Sequence, residues 1–302
     1  MCGIVAVLLR PSLRPVPPAA QMAASLTAAT TALGDGTTVA QLGAAARELT
    51  QLDTALRGTA GLGCMLSDAG ALDAAELALV ALQQRIDAIE AAFDRQDAAG
   101  ADLEQRNAAM LALKDACWAL LRDRVPHARA VAALAGTTKL AAGAVAAFSA
   151  LQVALGSLDR LEVRGRDSAG LGIFVTGIDV DHPLVRAALQ QRDHELFTNR
   201  SVRVGNGVLQ LVYKHAAEIG ELGDNVRALR SAMTDDELLQ WALRQSGAEA
   251  MVLAHTRWAS IGIISEPNAH PLNEQELGVT HRHAVLAVLL SLIHISEPTR
   301  PY

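Results

Sequence analysis

Aromatic residues are scarce: Phe, Trp and Tyr make up 3% of the 302 residues, although 51% are hydrophobic. The apolar content is therefore aliphatic and rich in alanine, a composition suited to helices packed closely on helices. Cysteine is equally sparse. Cys2, Cys64 and Cys117 are odd in number and widely scattered, which argues against a disulfide framework and for a reducing compartment. Basic charge is lacking as well: the net charge is -6 and the pI about 5.8, which leaves no footprint for nucleic acid. No uninterrupted apolar run reaches membrane-spanning length, and the opening apolar stretch is too short for a secretory signal and has no basic leader. The expected location is the cytoplasm, with no membrane and no nucleic acid among the partners. A chain of this length has room for one large core or two smaller ones.

What is present begins at the first residues, Met1-Cys2-Gly3-Ile4-Val5-Ala6-Val7-Leu8. Removal of Met1 by an aminopeptidase would give Cys2 both a thiol and a free α-amine. The amine titrates near ~8 and the thiol near ~8.5, so one residue can act as nucleophile and base together. Gly3 would let the backbone approach a ligand, and Ile4 to Leu8 read as a buried strand. A cysteine at a strand end is otherwise simply a small buried side chain.

Pro11 to Pro18 reads as a stiff extended connector. From Ala19 to Ala154 the chain carries almost no strand signal. Leu72, Ala75, Leu79, Leu82, Ile86, Ile89 and Phe93 alternate in steps of three and four, predicting a coiled-coil-like seam on one long helix. Asp102 with Gln105 resembles a capping box, and Leu103, Met110, Leu113, Cys117 and Leu120 continue a second helix that should pack antiparallel to the first and stop at Val125-Pro126. Cys64 and Cys117 read as small core residues. A third helical piece spans roughly 141–161 and leads into Val163-Arg164-Gly165-Arg166-Asp167-Ser168-Ala169-Gly170, a tight helix-to-strand corner that could also be an ordinary charged turn. Ser201 to Tyr213 with Gly205-Asn206-Gly207 predicts a hairpin of open turn type. Ala216 to Leu229 reads as an interrupted helix, and Thr234 with Glu237 as the capping box of another that runs to about Gln245.

The polar residues then gather. Ala250 to Ala254 is an apolar strand that delivers His255-Thr256-Arg257-Trp258-Ala259-Ser260, followed by Ser265-Glu266-Pro267-Asn268-Ala269-His270-Pro271. Arginine at the end of a buried strand, beside an indole and hydroxyls, suits bidentate binding of a carboxylate, or an ion pair with a core Asp. His281 and His283 share one face of a strand with no third ligand in sequence, so no metal and no other cofactor is expected.

These motifs together resemble the class II glutamine amidotransferases, the N-terminal-nucleophile glutaminase family. Cys2-Gly3-Ile4-Val5 is similar to their nucleophile strand. Leu161 to Gly170 resembles the Leu-Glu-Tyr-Arg-Gly-Tyr-Asp-Ser-Ala-Gly signature of the glucosamine-6-phosphate synthase branch (glutamine–fructose-6-phosphate aminotransferases), and His255 to Ser260 with Asn268-Ala269-His270-Pro271 resembles its His-Thr-Arg-Trp-Ala-Thr and Asn-Ala-His-Pro segments. The likeness covers residues 1–10 and about 155–289. It implies an α/β (α+β) fold, an incomplete sandwich of stacked antiparallel sheets with flanking helices, formed by 1–18 and 155–289. The block 19–154 would be an all-α insertion. It implies hydrolysis of glutamine to glutamate and ammonia, with Cys2 catalytic, Arg257, Trp258 and Ser260 binding substrate, and Gly3, Arg164, Gly165, Asp167 and His270 supporting the site. Ser260 keeps the hydroxyl of the family's Thr, while Ile261 stands where the family usually has His. The ammonia would serve sugar-phosphate isomerase domains of a longer parent, absent here, and the chain could form a homo-oligomer.

The family's next motif, a strand ending in the Asn-Gly of an oxyanion hole, is matched by His283 to Leu289 without Asn-Gly following. Residues 290–302 resemble the conceptual translation of a transposase-based sequencing adapter, an expected assembly artefact. One lost oxyanion donor costs ~10²–10³ in rate, so the polypeptide as written is expected to have little or no glutaminase activity. Two further readings stand beside this one. The first is an amidotransferase or amide hydrolase with another acceptor. The second is an interaction module that docks a partner through Leu79, Leu82, Ile86, Ile89 and Phe93.

Overall fold

A computed structural model describes residues 3–95, 103–192, 198–217, 221–258 and 264–271. Within them the protein is mixed α/β, with helices and one five-stranded antiparallel sheet. It divides into two compact units, one of Met1–Arg10, Leu134–Gly136 and Gly143–Tyr302, the other of Pro11–Ala133 and Thr137–Ala142.

The second unit is helical: α1 (Ala19–Leu33), α2 (Val39–Ala55), α3 (Gly58–Leu66), α4 (Ala69–Asp94), α5 (Leu103–Trp118) and α6 (Val125–Ala135), whose last residues count with the sheet unit. Local signals start these helices. Thr38 and Gln41 form a reciprocal capping box on α2, and Asp68 accepts from Gly70 and Ala71 at the head of α4; each cap satisfies backbone donors that a helix cannot pair itself. The seam of α4 faces the core, with Leu72, Leu79, Leu82 and Ile86 buried and Ile89 and Phe93 half-buried. Contacts of Glu90 with Lys114, Leu79 with Cys117 and Glu76 with Arg129 run in opposite chain directions, so α4 lies antiparallel to α5 and its continuation. Leu79, Leu82 and Ile86 of the seam are thus buried inside the unit. Asp102 lies outside the described residues.

Pro126 does not end the second helix. A π-helical stretch, Ala119–Arg124, joins α5 to α6, with Val125 N–H bonded to Leu120 O. The wider turn leaves Pro126 in the first turn of α6, where a missing N–H costs little.

The sheet unit contains β1 (Gly3–Leu8), α7 (Ala142–Leu161), β2 (Ser168–Thr176), α8 (Pro183–Gln191), β3 (Val202–Gly205), β4 (Val208–Ala216), α9 (Asp224–Thr234), α10 (Glu237–Arg244) and β5 (Glu249–Arg257), with strand order β1-β5-β2-β4-β3. Apart from its first residue, α7 belongs here, so the helical block ends near residue 142 and not at 154. Both its ends are fitted to the unit: a Cβ on Gly143 would lie 2.4 Å from Ser246 O, and Leu161 sits against Gly3.

β2 is buried along almost its whole length because it pairs on both sides. Its odd-numbered residues Ala169, Leu171, Ile173 and Val175 share a buried face with Ala250, Val252 and Ala254 of β5 and with Leu209, Leu211 and Tyr213 of β4. The opposite face carries Phe174, Val212, Met251 and Leu253 as an apolar cluster, and beyond it Ser168, Lys214, His255 and Arg257. The β3–β4 turn has positive φ at both Asn206 and Gly207, the conformation that matches strand twist in two-residue hairpins.

Two sequence expectations shift. Residues from Ala216 do not open a helix: β4 runs to Ala216, held by its pairing, and α9 begins only at Asp224 after Gly223 at φ 92°. Asp236, not Thr234, caps α10, accepting from Leu238 and Leu239, while the Thr234 hydroxyl donates back to Arg230 O.

Candidate functional site

Four stretches far apart in sequence meet at one end of the sheet. β1 pairs antiparallel with β5 so that Gly3 stands opposite Thr256, and the Gly3 N–H donates to Thr256 Oγ1 at 3.2 Å. β2 starts beside them, Ser168 opposite Arg257, and the Asp167 N–H donates to Arg257 O at 3.1 Å. The corner before it is a 3₁₀ turn, Glu162–Arg164, followed by Gly165. A Cβ on Gly165 would lie 3.1 Å from the carbonyl carbon of Arg257, so glycine brings the corner backbone against β5. The loop 264–271 completes the set: His270 is buried, and its carbonyl oxygen would be 2.0 Å from a Cβ on Gly170.

Gly3, Gly165, Asp167, Arg257 and His270 therefore gather here. Arg257 is buried at 4% exposure, whereas Trp258, next in the chain, is 55% exposed. Arg164 is exposed. Cys2 and Ser260 lie outside the described residues, as do His281 and His283. A Cβ on Gly3 would lie 2.7 Å from Leu161 Cδ1, so glycine lets the start of β1 close on α7.

Several participants were not singled out from sequence. Glu162 is buried and reaches across the chain to accept from Gly223 N–H at 2.5 Å and Val226 N–H at 3.1 Å, capping α9 from outside it. Burial pushes its carboxyl pKa up, against those two hydrogen bonds. Asn225 donates to Arg166 O at 2.7 Å, a second clasp between α9 and the corner. His255 packs against His270 with ring centroids 4.1 Å apart and ring planes tilted by 38°. Burial, then the neighbouring His270 and Arg257, lowers His255 to about 3; burial, then Arg257 and Lys214, lowers His270 to about 4. Both rings are neutral at pH 7. Only the fold brings these two histidines, fifteen positions apart, into contact.

Among the described residues no group of three His, Cys, Asp or Glu could hold a metal ion. The arrangement brings together a buried guanidinium, a hydroxyl and two neutral imidazoles, each with one donor and one acceptor nitrogen.

The loop's seat gives a direct test. Gly170→Ala puts a methyl where the His270 carbonyl sits, and such overpacking costs ~1–3 kcal/mol. Amide hydrogen exchange at Asn268 and Ala269, whose N–H groups donate to Ser265 O and Glu266 O, should be much faster in the variant than in the native chain. Equal rates would mean that the loop does not rest on β2.

Compared with family models, with curated proteins and with solved structures, the chain matches none of them.

Proposed function

We propose that this chain is the glutaminase part of a class II glutamine amidotransferase of the glucosamine-6-phosphate synthase branch, with its sheet forming one layer of an N-terminal-nucleophile sandwich. One observation carries the reading: the β1–β5 register sets Gly3 opposite Thr256, so the start of the chain and Arg257 belong to the same sheet end as the Asp-Ser-Ala-Gly corner. The convergence of four distant motifs at one sheet end supports this reading.

In this reading Arg257 binds the α-carboxylate of glutamine. The Cys2 sulfur forms a bond to the side-chain carbonyl carbon, the carbon–nitrogen bond breaks, and the α-amine passes the thiol proton to the departing ammonia. Water then adds to the thioester, the carbon–sulfur bond breaks, and glutamate leaves with the thiol restored. The ammonia is destined for a sugar-phosphate acceptor; an amidotransferase or amide hydrolase with another acceptor would use the same steps.

The test is covalent labelling of the full chain by a chloroketone analogue of glutamine. Cys64 and Cys117 are internal controls: both are fully buried, and burial raises both thiols, Cys117 to about 11, so they should stay unlabelled while the chain is folded. One label on Cys2, blocked by excess glutamine and lost in Cys2→Ala, is the expected result. Labelling that ignores glutamine, or that falls on Cys64 and Cys117 alone, would reject the reading.

A further inference from the structure

Five buried hydrogen-bonding atoms lie at this sheet end without a partner among the described residues: Ser168 Oγ and both ring nitrogens of His255 and of His270. Buried polar atoms are ordinarily satisfied, and a concentration of exceptions points to a guest. Strand register puts Ser168, His255 and Arg257 on one face, with Lys214 across from Gly170 and the His270 ring packed at a tilt against His255. A metal ion is a poor guest there, since two imidazoles supply too few ligands and Arg257 and Lys214 add positive charge. Among the described residues the charged groups that act on the pair are Arg257 from β5 and Lys214 from β4; Glu266 of the loop accepts from Asn199 at 3.2 Å and lies 4.0 Å from His215, and the register sets Gly170 of β2 and Ile4 of β1 opposite His255.

We propose that this corner takes up its carboxylate ligand together with a proton, which the His255–His270 pair stores. The inference rests on the reading of Arg257 as a carboxylate site and adds a regulation that reading does not contain. Arg257 disfavours charge on both rings; a bound carboxylate cancels that field, and by reciprocity protonated rings hold the carboxylate more tightly. A protonated ring also gains a second donor for a guest that only accepts.

Calorimetric titration of the full 302-residue chain with L-glutamate, at pH 7.5 and 5.5 and in buffers of different ionisation heat, tests it. The expected result is binding at least threefold tighter at pH 5.5, with buffer-dependent heats that report proton uptake. His255→Gln with His270→Gln should flatten the dependence, and Arg257→Ala should abolish binding. Ring-nitrogen NMR of the native chain provides a measurement independent of how well the variants fold, since both imidazole pKa values should rise when glutamate is added. Binding lost in Arg257→Ala but flat with pH, with no imidazole shift, overturns the proton coupling and leaves the carboxylate site standing. Proton-linked binding that survives Arg257→Ala overturns the carboxylate site on which the coupling depends. No binding by the native chain at either pH rejects both.

Discussion

Asp236→Ala is expected to destabilise the sheet unit by ~3–5 kcal/mol, the cost of breaking a buried ion pair from one side. The Asp236 side chain is wholly buried and does four jobs. It accepts from both Arg192 terminal nitrogens at 2.7 and 3.1 Å, from Tyr213 Oη at 2.8 Å, and from the Leu238 and Leu239 N–H groups that open α10; Arg200 adds a longer contact at 3.9 Å. Burial alone would raise its pKa, but the hydrogen bonds from Arg192 and Tyr213 outweigh burial and hold the carboxyl below its ordinary value. The Tyr213 hydroxyl, buried against that carboxylate, is pushed well above the usual phenol range. Removing the carboxylate leaves a partly buried guanidinium and a fully buried phenol without their shared acceptor. Asp236→Asn keeps the helix cap and should recover roughly half of the loss, while Tyr213→Phe should cost only ~1–2 kcal/mol. Amide exchange in β4 and α10 under increasing urea reads this unit separately from the helical one. A cost for Asp236→Ala below ~1 kcal/mol would mean that Arg192 and Tyr213 find other partners.

Stability of the sheet unit should also fall steeply with acid. Folded His255 and His270 titrate near 3 and 4, against 6.5 ordinarily, so below pH 6.5 the unfolded chain binds protons that the folded one refuses. The sign follows from that difference: the contribution is complete above about pH 6.5 and is lost as pH falls toward 4 and then 3, where the folded state protonates too. Each proton contributes ~1.4 kcal/mol per pH unit, so the pair gives a slope approaching ~2.7 kcal/mol per unit near pH 5. Other groups titrate in the same range, and the informative quantity is therefore the difference in slope between the native chain and the double variant His255→Gln, His270→Gln. Parallel curves would place both imidazoles in contact with solvent.

The legible parts of the fold were those whose cause is local. The α4 seam follows from a three-four alternation of apolar residues, and the β3–β4 hairpin from Asn206-Gly207 between two apolar runs. The corner at Gly165 was visible as two glycines around charge, and Arg257 stood out as an arginine ending an apolar strand. Errors came where a distant partner overrode a local signal. Residue 216 stays extended because β2 pairs with it. Pro126 is tolerated because the π-turn before it had already opened the helix. Thr234 lost the capping position to Asp236, whose carboxylate also answers Arg192 and Tyr213 from other elements.

The sequence alone determined the helical periodicities, the turn at 206–207, the scarcity of basic charge, and the motif spellings on which the glutamine reading depends, since all of these reside in neighbouring residues. Tertiary structure alone decided that Gly3 lies beside Thr256, that Glu162 caps a helix some sixty positions away, that Gly170 leaves room for the His270 carbonyl, and that two buried histidines pack against each other under the influence of Arg257. The physical reason is that strand register and the exclusion of water act between residues remote in the chain. No pattern along a single chain direction specifies which remote pair will be pressed together.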